Sequence, residues 1–249
     1  MQLYWMDLHI HTVLSPCAEL EMGAKEIVEK CLAEGVDIIA ISDHNATANS
    51  LAVIEAAKGK PLTVLPALEV QSREDIHTVS LFPGFEEASL FQEWVWERLA
   101  PIKNDPDLFG FQMIIDEDNN ILNEVDTLLI QGIDASVDDI IEEVRRRGGM
   151  SILAHIDRQA YSYLAVLGII PPDLKIDAVE LSARLTSEEA LFWKKQALNY
   201  TIIRSSDAHR LSDIKRQHAT AVLLKRPSFD EIALALHSQD KRMVMWPWS

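Results

Sequence analysis

The spacing of apolar residues changes between two periods along the chain, and each change predicts an element. Leu3 to His11 reads as a strand, with His9 and His11 on one face and Leu8 and Ile10 on the other. A loop from Thr12 to Gly23 leads to a helix over 24–34, where Ile27, Val28, Cys31 and Leu32 share a face and Gly35 ends it. Val36 to Ser42 is a nearly unbroken apolar run, the pattern of a strand covered on both sides. A helix over 47–58 follows, then strands over Leu62–Val70 and Ile76–Phe82. From 86 to 99 the period is helical again, with Leu90, Phe91, Trp94, Val95 and Leu99 in one stripe. Trp94 and Trp96 read as packing residues ahead of any cofactor role. Phe111–Ile115 and Ile121–Leu122 flank Asp116-Glu117-Asp118-Asn119-Asn120 and predict a β-hairpin. Ser136 and Asp139 cap a helix over 137–147 that stops at Gly148-Gly149. Regular alternation then resumes: a strand at Met150–His155, the Pro171-Pro172 break, a strand at Ala178–Ser182, a helix over 187–197 and strands at Thr201–Ser206 and Ala219–Leu224. The last helix is expected to be capped by Ser228 and Glu231.

This order of strand then helix predicts an α/β fold with a parallel sheet, open or closed into a barrel. There is no internal repeat or low-complexity linker, so the expectation is one domain over 1–249 with an insertion at approximately 85–135. Insertions of that length in barrel enzymes commonly cover the mouth and set substrate size.

Composition narrows the picture only modestly. An apolar content of 48% with 25% charged residues suits a globular chain with a sizeable core. The net charge of −16 repels polyanions at long range and makes long nucleic acid and anionic membrane less expected partners. No apolar run has the length of a membrane span, and the N-terminus lacks a signal-peptide pattern, so a cytoplasmic location is expected. Cys17 and Cys31 are too few for a disulfide framework, and Cys31 falls on the core face of its helix.

The candidate chemistry is a matter of position. His9, His11, His44, Glu69, His155, Asp207 and His209 all fall in or just after the C-terminal ends of expected strands, where parallel α/β folds place their sites. With His77, six of the eight histidines are involved. Neutral imidazoles and carboxylates are the usual ligands of divalent transition metals, and burying so many polar groups on one face is costly without ions.

Asp7-Leu8-His9-Ile10-His11-Thr12, Ser42-Asp43-His44-Asn45, Ala67-Leu68-Glu69-Val70, His77, Ala154-His155 and Ser206-Asp207-Ala208-His209 resemble, in order, the motifs of the polymerase and histidinol phosphatase (PHP) domain. The resemblance runs from about residue 5 to 210. It implies a distorted (β/α)7 barrel holding two to three divalent ions of zinc, manganese or iron, with phosphoester hydrolysis as the usual activity. It further implies one ion on His9, His11, Glu69 and Asp207, a second on Glu69, His77 and His155, and a third on His44, His209 and position 17. Many relatives have His or Asp at that last position. This chain has Cys17, whose thiolate suits zinc or ferrous iron better than manganese.

Beside these motifs, Arg158, Arg184 and Arg210 are candidates to hold substrate phosphate, Arg158 foremost, and His218 could protonate a leaving oxygen. Glu69 and Asp207 are the carboxylates on which catalysis should depend. The expected function is hydrolysis of a phosphate ester by metal-activated hydroxide, the ester being a small phosphomonoester, a nucleotide or an oligonucleotide end. A non-catalytic metal-stabilised regulatory module and a metal-dependent amidohydrolase are the alternatives.

Overall fold

The computed structural model describes residues 1–197 and 200–248. In chain order its elements begin with β1 (Gln2–Ile10), α1 (Ala24–Glu34), β2 (Ile38–Ile41), α2 (Ala48–Ala56), β3 (Thr63–Gln71) and β4 (His77–Leu81). The inserted region contributes α3 (Phe85–Trp96), α4 (Pro106–Phe109), β5 (Met113–Ile115) and β6 (Ile121–Glu124). Then come α5 (Val137–Arg146), β7 (Met150–Leu153), α6 (Tyr163–Leu167), β8 (Ala178–Ser182), α7 (Ser187–Gln196), β9 (Ile202–Ser205), β10 (Thr220–Leu224), α8 (Phe229–Leu236) and β11 (Met243–Val244).

Seven strands, β1, β2, β3, β4, β7, β8 and β9, follow one another around a nearly closed barrel. The sheet returns on itself at its upper end through a parallel bridge between Ile10 and Ala208, where His11 N–H donates to Ala208 O at 3.0 Å. Lower down, β10 fills the gap, pairing antiparallel with Gln2–Met6 of β1 while Thr220 Oγ1 accepts from Arg204 N–H of β9.

The expected all-parallel sheet is corrected here. β4 runs antiparallel to both β3 and β7, and β10 and β11 are antiparallel additions. The connection from β3 to β4 spans only residues 72–76, too short for the helical crossover that a parallel strand needs, so the chain turns back directly.

Alternation within the strands sorts the core. Met6, Leu8, Ala40, Leu65, Ala67, Val79, Ile152, Ala178, Ile203 and Val222 form one interior cluster, and Ile232, Ala235 and Leu236 of α8 plug it from below. The intervening residues face outward: Ile39 and Ile41 pack on α1 and α2, Leu68 and Val70 on α3 and α5, Val179 and Leu181 on α6 and α7. Leu8 and Ile10 do not share a face as expected. Leu8 lies in the interior and Ile10 packs outside with Ile27, Val28 and Val53. A register irregularity between Asp7 and Ile10 reverses the alternation.

Two further expectations change. Ser228 precedes α8 but makes no capping hydrogen bond. Glu231 instead accepts a two-pronged grip from Arg242 at 2.7 and 2.9 Å together with Lys225 N–H, an ion-pair alternative that a one-residue capping pattern cannot reveal. The insertion is tied to the barrel through Asn45, whose amide donates to Leu129 O and Gln131 O and whose carbonyl accepts from Trp96 Nε1. Among the described residues, no helix is long and apolar enough to cross a membrane.

Candidate metal centre

The upper end of the barrel collects its polar side chains by three devices. Glu69 continues the inward alternation of Leu65 and Ala67, and Glu180 continues that of Ala178. The irregularity in β1 turns His9 and His11 inward above Leu8. The reversal of β4 brings His77, the first residue of that strand, to the same end at which the parallel strands finish. Asn45, His155 and Asp207 adopt left-handed backbone (φ 51°, 29° and 49°), where non-glycine residues are uncommon. Such conformations persist where surrounding structure holds them, and these three sit at the strand ends that bear the cluster.

Glu69 is the hub. Its Oε1 lies 2.8 Å from His77 Nδ1, 3.1 Å from His155 Nε2 and 3.3 Å from His9 Nε2. Its Oε2 lies 3.0 Å from His44 Nδ1 and 3.4 Å from His11 Nε2. Asp207 Oδ1 sits 3.2 Å from His11 Nε2 and 3.3 Å from His9 Nε2.

Hydrogen bonds fix two tautomers. His9 Nδ1 faces both oxygens of Glu180 at 3.0 and 3.2 Å and must donate to that carboxylate. Ser15 Oγ donates its single proton to Asp43 at 2.7 Å and so accepts from His11 Nδ1 at 2.9 Å. In its neutral form each imidazole therefore presents an Nε2 lone pair to the carboxylates of Glu69 and Asp207. His9 Nε2 is buried and has no hydrogen-bond partner. A lone pair held against two anions is repulsive unless a cation stands between them, which is the environment a divalent ion fits.

With no ion between them, a proton is the cation that the surrounding acids draw onto His9. Burial alone would lower His9, but Glu180, Asp207 and Glu69 outweigh it and hold its pKa well above that of an ordinary imidazole. Burial, reinforced by the neighbouring His209 and His44, pushes His11 well down, so it stays neutral. Glu69 is raised by burial yet drawn well below the carboxylate range by His77, His9 and His44. For Cys17, exposed on the cavity wall, partial desolvation pushes the thiol up, but His44 and His209 prevail and the pKa falls to about 6.

Among the described residues, three groups of ligand atoms lie within 4.8 Å of one another: His9, His11, Glu69 and Asp207; His44, Glu69 and His77; and His11, His44 and His209. The first coincides with the set expected for one ion. The second contains His44 in addition to Glu69 and His77, while His155 reaches only Glu69. Cys17 lies near His44 and His209, beside the third group but not within it.

Over this cluster opens a cavity of about 590 Å³ whose walls include Cys17, Asp207 and His209. Arg158, Arg184, Arg210 and His218 all line it as well. Arg158 Nη2 donates to Asp207 Oδ2 at 2.5 Å, Arg184 pairs with Asp213 and Arg210 with Glu19. His218 Nδ1 donates to Asp213 O at 2.7 Å. No residue of 85–135 is among the walls of this cavity. The inserted β5 instead sits against the first loop and α2, with Met113 N–H on Val13 O and Ile115 N–H on Asn49.

Sequence reasoning passed over four residues. Glu180 and Asp43 orient the imidazoles described above, and Ser15 relays between Asp43 and His11. A lone acid at an inward position of an apolar strand was the available signal for Glu180. Tyr161, at φ 57°, stacks on His77 with ring centroids 4.8 Å apart, and its carbonyl accepts His77 N–H. Nothing in its sequence neighbourhood marks it.

Comparison with known proteins supplies context. The family model of the PHP domain matches residues 7–237. No curated protein sequence matches the chain. Among solved structures, the lesion-specific endonuclease PfuEndoQ from Pyrococcus furiosus is similar with a TM-score of 0.72 at 18% identity, covering 98% of this chain and 58% of that one. A complex of Endonuclease Q with a 27-mer duplex bearing an abasic lesion at the active site gives 0.71 at 18% identity, covering 98% of this chain and 59% of that one. A two-domain protein from Bacteroides vulgatus, containing a predicted PHP-like metal-dependent phosphoesterase, gives 0.56 at 16%, covering 98% and 65%. The chain thus spans under two thirds of each of these proteins, and at such identities the likeness is one of fold.

Proposed function

The chain belongs to the PHP domain family, and from that membership we propose that it is a metal-dependent phosphoesterase acting on a phosphorylated small molecule or nucleotide. One observation carries the reading: the carboxylate and imidazole cluster opens into a cavity lined by three arginines. Guanidinium forks recognise phosphate oxygens, and a carbonyl substrate has no need of three.

In this reading His9, His11, Glu69 and Asp207 hold one divalent ion, Glu69, His77 and His155 a second, and His44, His209 and Cys17 a third. Bound zinc, manganese or iron supplies positive charge that activates water and offsets charge developing on the phosphoryl oxygens. Glu69 faces histidines through both oxygens and would serve the first two ions together. Glu180 and the Asp43–Ser15 pair keep the His9 and His11 lone pairs aimed inward. Arg158, already on Asp207, turns its free nitrogens to the phosphate, with Arg184 and Arg210 at the rim. Water oxygen bonds to phosphorus, the ester P–O bond breaks, and His218 hands a proton to the leaving oxygen and regains one that the attacking water releases. Phosphate and an alcohol result.

A DNA strand end is the second reading, favoured by the fold shared with endonuclease Q. The net charge of −16 weighs toward small substrates. Phosphate release from a panel of monoesters, diesters and oligonucleotide ends, with the chain loaded in turn with each metal, tests the proposal. Turnover of at least one ester class is expected, and no release from any ester by chain carrying two or more ions would contradict it.

A further inference from the structure

Beside the cavity over the cluster lies a second cleft, of about 390 Å³, lined by Gln159, Leu164, Phe192, Trp193 and Gln196. The two spaces share one residue, Arg158, whose guanidinium reaches Asp207 of the cluster. A phosphate gripped by Arg158 therefore lies at the boundary of both. We propose that the second cleft receives a nucleobase, so that the ester hydrolysed is a nucleotide. The proposal rests on the phosphoesterase reading given above.

Three features of the cleft select a flat, polar-edged ring. Phe192, in the middle of α7, is 56% exposed and meets Trp193 edge to face, with centroids 5.2 Å apart and planes at 82°. Leaving a phenyl ring this open forgoes the burial that such a side chain ordinarily finds, and an aromatic guest would restore it. Gln159 and Gln196 use no side-chain hydrogen bond among the described residues, and each offers a donor and an acceptor. An aliphatic chain would leave those amides unanswered, whereas the edge of a base matches them.

The wall between the two spaces is already ordered. Asp157 Oδ1 accepts Ser182 N–H at 2.8 Å, Arg158 N–H donates to His155 O at 2.9 Å, and Ser162 Oγ donates to Arg158 O at 2.7 Å. The loop that carries Arg158 and Gln159 is thus anchored at both ends, and little ordering is left to be done on binding.

The test uses the metal-loaded full chain, unaltered and with Phe192→Ala or Phe192→Tyr. It compares kcat/KM for AMP and for ribose phosphate, and measures calorimetric binding of adenosine, which lacks phosphate and reports on the cleft alone. The unaltered chain should favour AMP. Phe192→Ala should cut that preference by roughly tenfold and weaken adenosine similarly, the scale of one base–aromatic stack, while Phe192→Tyr retains both. An unchanged preference, with adenosine indifferent to Phe192→Ala, overturns the subsite while leaving the phosphoesterase intact. Adenosine binding that depends on Phe192 in a chain that releases phosphate from no ester of the panel upholds the subsite and overturns the phosphoesterase reading.

Discussion

The two ends of the barrel interior are equally buried and chemically opposite. Leu8 and Ile203 below are 1% and 0% exposed, and Glu69 and His9 above are 1% and 0% exposed. Burying a large aliphatic side chain stabilises the fold by about 1.5–3 kcal/mol, whereas an unpaired charge in the same setting costs free energy. The lower end, plugged by α8, therefore holds the molecule together. The upper end holds side chains in an arrangement that becomes comfortable only around cations. Stability and chemistry are divided along one axis, and substitutions at the two ends should fail in different ways.

The largest contrast is between Glu69→Gln and Ile203→Ala. Removing the charge of the hub should lower phosphate release by about a thousandfold or more with the denaturation midpoint little changed. Truncating the aliphatic should cost about 2–5 kcal/mol in denaturant unfolding and leave the rate per folded molecule within a few fold. A Glu69 variant that unfolds while keeping its rate, or an Ile203 variant that does the reverse, would break the division.

Much of this division was legible beforehand, for physical reasons that differ by element. The helix over 24–34 is where it was expected, because Ile27, Val28 and Cys31 recur at helical spacing and Gly35 supplies the left-handed stop at φ 68°. The capping box of Ser136 and Asp139 is likewise present. Alternation, however, is the same read in either direction along a strand, so the reversal of β4 left no mark in the residues of Ile76–Phe82. The β1 irregularity was equally silent, since it depends on how the strand pairs with β2. Motif spacing identified the residues that meet at the barrel's upper end, including Arg158, Arg184, Arg210 and His218 at its cavity. It did not identify Glu180 or Ser15, which touch the imidazoles from behind, or Asp43, which holds Ser15.

That supporting layer sharpens the comparison at an intermediate scale. Glu180→Gln keeps the shape but removes the charge that His9 donates to, so metal affinity should fall by about 10- to 100-fold in chelator competition, with secondary structure intact. Affinity equal to that of the unaltered chain would mean that His9 is oriented by packing alone.

The smallest effect concerns Cys17. In chelator-treated protein the exposed Cys17 should react with iodoacetamide with a midpoint near pH 6, because His44 and His209 overcome the partial desolvation that opposes ionisation. Since this pKa lies below the ordinary thiol value, the thiolate's contribution to stability is present above that ordinary value and is lost as pH falls through about 6. Adding back zinc should slow the alkylation. A midpoint near 9, unaffected by metal, would make Cys17 an ordinary loop residue.

The central claim, that the upper end of the barrel is built around several cations, is tested most directly by elemental analysis of the chain purified without chelator, alongside Glu69→Gln prepared the same way. The account predicts two to three zinc, manganese or iron ions per unaltered chain and a loss of at least one in the variant. One ion or none in the unaltered chain, with no uptake when metal is supplied, would contradict it.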